Sequence, residues 1–179
     1  MTAGIVESPR RIYEVLKYPD PVLMRKADPV TVFDRALAEL VEDMFESMYA
    51  AQGIGLAAPQ IGISKQITTI DLSFKKKPED KIVLINPVIL KRQGDQYEEE
   101  GCLSFPEIRE KVKRAATVTV RAQNVRGEFY EMDGDELLAR AFQHEIDHLH
   151  GILFIDHLSR LKRDLVHRRI RKLQKNGEW

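Results

Sequence analysis

The stretch Gln143–His148, with the sequence QHEIDH, constrains this chain more than any other segment. Two histidines four residues apart on a helix lie about 40° from each other around the helix axis, so His144 and His148 can both face one metal ion. Glu145 then reaches a water on that ion rather than the ion itself, which is the acid/base position of H-E-x-x-H hydrolases. The alternative is an exposed helix face with two solvated histidines. The motif predicts a metal-dependent hydrolase that still needs a third ligand.

The residues around the motif predict a helix that is buried on one side. Asp135 can cap its start and Gly151 can close its end. The apolar side chains ahead of the motif are Leu137, Leu138, Ala141 and Phe142. Because these side chains draw the helix into a core, the metal site on it is expected to be buried as well.

The length of 179 residues fits a single domain, 1–179, in which residues 1–10 lack periodicity and are expected to fray. The 28 basic and 28 acidic residues cancel, so the molecule as a whole has no general attraction to nucleic acid. Residues 1–12 lack the apolar centre of a secretory signal, and no run of about 18 apolar residues is present. The expected location is therefore the cytoplasm, with no membrane partner.

The order of elements along the chain predicts an α+β fold. Residues 34–51 repeat apolar side chains at helical spacing, and Met44 and Met48 among them are interpreted as core rather than as metal ligands. Short β-like runs follow at 66–72, 82–90, 117–122 and 129–132. We expect antiparallel β-sheets packed around the central metal-binding helix, with an N-terminal and a C-terminal helix on either side.

Residues 53–60, GIGLAAPQ, contain the pattern G-x-G-x-x-A of dinucleotide-binding loops. That fingerprint leaves a strand and opens a helix, whereas this segment follows a helix and runs into Pro59, so we reject a nucleotide cofactor. The small residues allow close approach of a substrate backbone. Gln60 offers a side-chain amide, although a solvated loop residue is the alternative.

Several residues compete for the place of the third metal ligand. The metzincin proteases continue the motif with a third histidine, but Phe154 stands at that position here. The further candidates are Asp156, His157 and Glu178. Cys102, the single cysteine, is the better choice because a thiolate binds zinc or ferrous iron strongly and neighbouring glycine and proline bends can hold it facing the helix.

Three segments together resemble the signature motifs of the peptide deformylases. They are 53–60, GIGLAAPQ; 100–104, EGCLS; and 143–148, QHEIDH, in the family's order within a resemblance that runs from about Tyr13 to about Lys172. The resemblance implies removal of the formyl group from formyl-methionine at the N-terminus of new polypeptides. A zinc endopeptidase and an RNA-binding module with a structural metal are the competing interpretations.

The resemblance also implies roles for matching residues. The family's metal ligands correspond to Cys102, His144 and His148. A fourth position remains for water, which Glu145 would deprotonate. The Gln60 amide and the Leu103 backbone N–H match the groups that stabilise the oxyanion. One Fe(II) ion per chain is implied for the cell, with zinc, nickel or cobalt in purified protein.

The implied substrate pocket takes one unbranched thioether side chain. Its implied neighbours are Gly53, Ile54, Gly55, Gly101, Leu137 and the His144 ring. Arg109 matches an arginine of the family that holds the 100–104 loop or the substrate, and a plain surface ion pair fits the sequence equally well. Arg140 stands one turn before His144 on the same helix face, where many relatives are apolar, so the resemblance leaves the width and polarity of the pocket mouth open.

A basic C-terminal helix is predicted at 158–175. Residues 160–175 hold eight Lys or Arg and one Asp. The apolar stripe of this helix comprises Leu158, Leu161, Leu165, Val166, Ile170 and Leu173. The basic face is either simply solvated or docks on a polyanion such as the RNA of the ribosome.

Overall fold

The computed structural model describes residues 8–179, so the predicted fraying of residues 1–10 falls mostly outside the described part of the chain. The α-helices are α1 (Arg35–Ala50), α2 (Glu136–Leu149) and α3 (Arg160–Lys175). The strands are β1 (Gly55–Ala57), β2 (Ile67–Ile70), β3 (Ile82–Gln93), β4 (Gln96–Cys102), β5 (Phe105–Arg114), β6 (Thr117–Gln123) and β7 (Phe129–Asp135). The predicted α+β class is confirmed.

The strands form two antiparallel sheets. The larger sheet has the order β1-β2-β3-β6-β7, and β4 and β5 form the smaller one. Sequence patterns found β2, β3, β6 and β7 but missed the other three strands. β1 has three residues, and β4 and β5 are rich in charged side chains because much of their surface faces solvent. Short or charged strands carry a weak apolar alternation, which explains the omission.

Helix α1 supports the segment that carries Gln60. The Asp34 carboxylate accepts a hydrogen bond from the Leu37 backbone N–H at 2.9 Å, which caps the helix. Met44 and Met48 are fully buried in the same apolar cluster as Leu56 of β1. The two methionines are therefore core residues, as predicted.

Helix α2 is the central helix of the fold. Ala139, Phe142 and Ile146 pack on the larger sheet, while the opposite face carries the histidines. Asp135 stands at the N-cap, but its side chain makes no capping hydrogen bond within the described chain, so that predicted interaction is wrong. At the other end Gly151 has φ of 71°, and a Cβ there would lie 2.8 Å from the backbone of Met24. The prediction that Gly151 ends the helix is confirmed.

Helix α3 packs on the body through Val166, Ile170 and Leu173. Leu161 and Leu165 are 71% and 51% exposed, so the predicted apolar stripe is wrong at these two residues, whereas Leu158 is buried as predicted. Leu161 lies about 140° around the helix axis from Val166 and therefore faces solvent. Across residues 8–179, no helix has the length and apolar character that a membrane crossing requires.

Candidate metal centre and active site

The side chains of Cys102, His144 and His148 meet at one point, although the cysteine ends β4 and the histidines belong to α2. Cys102 Sγ lies 3.4 Å from His148 Nε2, which in turn lies 3.2 Å from His144 Nε2. All three ligand atoms lie within 4.8 Å of one another, and they are the one such group among the described residues. The structure therefore brings the three predicted ligands together.

These separations fit a single tetrahedral ion. With metal–nitrogen bonds of about 2.05 Å and a metal–sulfur bond of about 2.3 Å, a tetrahedron requires about 3.3 Å between nitrogens and about 3.5 Å between sulfur and nitrogen. The observed Nε2–Nε2 and Sγ–Nε2 distances agree with both values. Three protein ligands leave one corner for water or substrate, which is typical of catalytic rather than structural sites.

Glu100 fixes the orientation of the His144 ring. Its carboxylate accepts a hydrogen bond from His144 Nδ1, so the lone pair of Nε2 is free for a metal. Arg114 donates to both oxygens of this carboxylate, at 2.9 and 3.2 Å. Burial opposes ionisation of Glu100, but the hydrogen bonds from His144 and Arg114 outweigh it and lower its pKa to about 2.

Sequence reasoning assigned no role to Glu100 or Arg114. One signal was available for Glu100, because it stands two residues before Cys102 and alternate residues of a strand share a face. For Arg114 the sequence offers no comparable signal. The β4–β5 ladder pairs Arg114 with Gln96, four residues before Glu100, and the long Arg114 side chain reaches the Glu100 carboxylate along the sheet.

Glu145 is a buried carboxylate next to the ligands. Burial raises its pKa to about 7. A Cβ on Gly55 would lie 2.5 Å from Glu145 Oε1, so glycine leaves the room that this carboxylate needs. Glu145 Oε2 has no hydrogen-bond donor among the described residues. A buried carboxylate with a free oxygen is suited to proton exchange with a water molecule.

Gln60 is held by hydrogen bonds at both ends of its amide. It lies in the 3-10 turn Ala58–Ile61 and is 1% exposed, so the solvated-loop alternative is wrong. Its Oε1 accepts from the Ala57 N–H at 2.9 Å, which turns Nε2 towards the metal ligands. Nε2 donates to Ser104 Oγ at 3.1 Å and lies 3.6 Å from Cys102 Sγ. An N–H donor is therefore placed beside the ligand set.

A cavity of about 640 Å³ opens next to these groups. Its lining includes all six residues assigned to substrate binding, namely Gly53, Ile54, Gly55, Gly101, Leu137 and Arg109. It also includes Gln60, Cys102, Leu103, His144 and Glu145. Of the residues assigned from the sequence, His148 alone is outside the lining, buried behind its neighbours. The predicted ligands, reacting groups and pocket residues thus share one site.

The two arginines singled out from the sequence differ in environment. Arg109 lies opposite Gly101 in the β4–β5 ladder, and its exposed side chain donates to Glu99 at 2.9 Å. Arg140 lies in the lining of the cavity, but its side chain is 4% exposed, so its charge is directed away from the mouth. It turns instead to the buried Glu100, with Nη1 donating to Oε2 at 3.0 Å.

The competing third ligands lie elsewhere. The Asp156 carboxylate accepts from the Leu153 backbone N–H at 2.8 Å. His157 pairs with Asp147 through its Nε2 at 2.8 Å. Glu178 is exposed near the C-terminus. None of these three belongs to the Cys102 group.

Comparison with known sequences points to one family. Residues 12–164 match the family model described as polypeptide deformylase. A peptide deformylase of Acidobacterium capsulatum is 70% identical over 168 residues, which cover 94% of this chain and 99% of the relative. The peptide deformylase of Nitrosococcus oceani is 49% identical, with coverage of 92% and 97%.

Solved structures agree with the sequence comparison. A peptide deformylase from Legionella pneumophila matches with a TM-score of 0.87 and 45% identity, covering 93% of this chain and 98% of that one. The peptide deformylase from Thermus thermophilus matches with a TM-score of 0.83 and 41% identity, covering 90% and 94%. The family consists of metal-dependent enzymes that remove N-formyl groups from nascent peptides. By sequence, fold and the match over 12–164, this chain belongs to the peptide deformylase family.

Proposed function

We propose that this chain hydrolyses the formyl group from formyl-methionine at the N-terminus of new polypeptides and releases formate. The observation that carries the proposal is the convergence of Cys102, His144 and His148 beside a cavity that also holds Glu145 and Gln60. Residues 1–179 would act as one catalytic domain, since the site draws on β4, α2 and the segment between α1 and β2.

Cys102, His144 and His148 would hold one metal ion. When bound, the ion supplies Lewis acidity, which makes water nucleophilic near neutral pH. A thiolate and two imidazoles suit zinc or ferrous iron, and the family resemblance supports Fe(II) in the cell, with zinc, nickel or cobalt in purified protein. Anaerobic purification followed by elemental analysis would identify the ion.

Glu145 would serve as general base and then as general acid. Its carboxylate takes a proton from the attacking water as the water oxygen bonds to the formyl carbon. When the carbon–nitrogen bond breaks, the same residue returns the proton to the leaving amine, and formate departs. The free Oε2 and the burial of the side chain support this role.

Gln60 and Leu103 would stabilise the negative charge that develops on the formyl oxygen. Gln60 Nε2 faces the ligand set because Ala57 and Ser104 hold the amide in place. Leu103 directly follows Cys102, which places its backbone N–H next to the ligand sulfur. Donors fixed in advance lose no energy to reorganisation during the reaction, so they favour the transition state.

We expect Gln60→Ala to lower kcat by about 10²-fold or more, because one oxyanion donor contributes about 2.7–4 kcal/mol. The variant should retain its metal, since Gln60 is not a ligand. Steady-state formate release and elemental analysis measure the two quantities. The matched control is Gln66→Ala, whose amide donates to the Ala27 carbonyl outside the cavity and should not affect kcat. If Gln60→Ala lowers kcat by less than about threefold, Gln60 does not act as an oxyanion donor.

The cavity supports selection of a methionine side chain. Ile54 and Leu137 supply apolar walls, and an unbranched thioether fits between such surfaces. Gly55 and Gly101 would lie along the extended peptide, where the absence of side chains allows close approach. Arg109, next to Gly101, would contact the peptide from the solvent side.

The decisive test is formate release from a formyl-Met peptide by anaerobic, iron-loaded protein. The proposal requires formate and a free amine, with no cleavage of the same peptide lacking its formyl group. Internal cleavage of the unformylated peptide would indicate an endopeptidase. Absence of both activities from metal-loaded protein would indicate a structural metal.

We also propose that α3 docks the enzyme on ribosomal RNA. Deformylation would then occur in the cytoplasm, where new chains leave the ribosome. The outward face of α3 carries Leu161, Leu165, Arg168 and Lys172, all exposed. Basic residues on a rigid, packed helix can track a phosphate backbone, and the two leucines add apolar contact area. The alternative is a solvated basic face.

Ribosome binding through α3 should weaken steeply with salt. If two or three lysines or arginines contact phosphates, the affinity falls about 10–40-fold between 50 and 200 mM salt. The double variant Arg168→Glu/Lys172→Glu should lose binding while deformylating a free peptide normally, measured by co-sedimentation and formate release. Lys76→Glu/Lys77→Glu, with the same charge change on an exposed loop, is the control. Unchanged association after removal of α3 would exclude the docking proposal.

A further inference from the structure

Arg140 makes a set of contacts that the proposed reaction does not use. Each of its three guanidinium nitrogens donates to a protein acceptor. The acceptors are Gln96 Oε1 at 3.1 Å, Glu100 Oε2 at 3.0 Å and the Val112 carbonyl at 2.9 Å. The side chain borders the cavity, but its nitrogens point into β4 and β5 rather than towards a substrate.

These contacts join the two elements that carry the metal ligands. Glu100 and Cys102 stand two residues apart on β4, and Arg140 and His144 stand one turn apart on α2. Glu100 accepts hydrogen bonds from both Arg140 and His144, so a single carboxylate connects the strand to two successive turns of the helix. Cys102 and His144 belong to different elements, so their separation depends on how β4 is held against α2.

We propose that Arg140 is a positioning residue that holds β4 against α2, so that Cys102 and His144 are pre-arranged to bind one metal ion. The inference rests on the metal site of the proposed function. Arg140 acts through Glu100 and Gln96 and touches neither metal nor substrate. Arg114, from β5, pairs with the same carboxylate and also donates to Asp147 of α2 at 2.6 Å, so it ties Glu100 to the C-terminal half of the helix, whereas Arg140 ties it to the turn before His144.

The test is the rate at which nickel leaves the Ni(II)-loaded enzyme in excess chromogenic chelator. Arg140→Met should release nickel about tenfold faster than the unsubstituted protein, which corresponds to the lower end of the loss in metal affinity that follows removal of a ligand's hydrogen-bond partner. Gln96→Leu removes the Gln96 acceptor of Arg140, together with the donations from Gln96 to the Ala115 and Glu136 carbonyls, and leaves Glu100 paired. This variant should release nickel faster by a smaller factor. In the Co(II)-loaded variants, a weakened thiolate-to-cobalt absorption band would report the displaced Cys102 sulfur.

A control separates this role from general loss of stability. Tyr49→Phe removes the hydrogen bond from Tyr49 to the buried Asp71, which lies outside the metal site, and should lower Tm without changing nickel release. Equal release rates for folded Arg140→Met and the unsubstituted protein would overturn the inference. If Arg140→Met does not fold, an unchanged rate in Gln96→Leu would overturn it. Failure of the unsubstituted protein to bind nickel would instead count against the metal site itself.

Discussion

Replacement of Glu145 by alanine is expected to lower formate release by about 10³-fold while the metal stays bound, within the 10²–10⁴-fold that general acid–base catalysis contributes. Such a loss corresponds to about 4 kcal/mol of transition-state stabilisation. The physical reason is that Glu145 handles the proton in both halves of the reaction, whereas Cys102, His144 and His148 hold the metal without it. Single-turnover formate release and elemental analysis on the same sample measure the two effects.

Two further variants sharpen this test. Glu145→Gln keeps the size of the side chain but cannot accept the proton, so it should be as inactive as Glu145→Ala. His150→Ala, at an exposed position just after α2, should retain both metal and activity. A Glu145→Ala enzyme with activity near that of the unsubstituted protein would reverse the assignment of the general base.

Replacement of Cys102 by alanine is expected to abolish stable metal binding and reduce formate release to background. Loss of an outer hydrogen-bond partner weakens metal affinity about 10–100-fold, and loss of a ligand itself should weaken it further. The two histidines remain on α2 with Nε2 atoms 3.2 Å apart, but they offer only two of the three ligands. Elemental analysis after gel filtration measures the bound metal.

The single cysteine permits an independent check of the same ligand. Because Cys102 is the only thiol in the chain, its reaction rate with a thiol reagent reports on this site alone. A metal-bound thiolate should react slowly, and chelator should speed the reaction. Full metal retention in Cys102→Ala, or equal thiol reactivity with and without metal, would contradict the assignment of this ligand.

The fold was predictable wherever local patterns were strong. Helical periodicity located α1 and α2, and apolar runs located β2, β3, β6 and β7. The same reasoning missed β4 and β5, whose charged side chains hide the alternation that marks a strand. It also placed Leu161 and Leu165 in the buried stripe of α3, because a count of apolar residues does not say which side of the helix meets the body.

The candidate site was likewise predictable only in part. The spacing of His144 and His148 determines by helix geometry alone that both rings share a face, and residue chemistry favoured Cys102 as the third ligand. Sequence reasoning did not predict that Arg114 and Arg140 both donate hydrogen bonds to the Glu100 carboxylate.

The sequence by itself determined the two-histidine face of α2, the α+β class and the chemical identity of the ligands and reacting groups, because these depend on residue type and on spacing within one element. Only the tertiary structure decided that Cys102 reaches those histidines, that Gln60 presents its N–H group to them and that Arg140 is buried. Those facts depend on how the smaller sheet docks against α2, and no periodicity within a single segment encodes the packing of two distant ones.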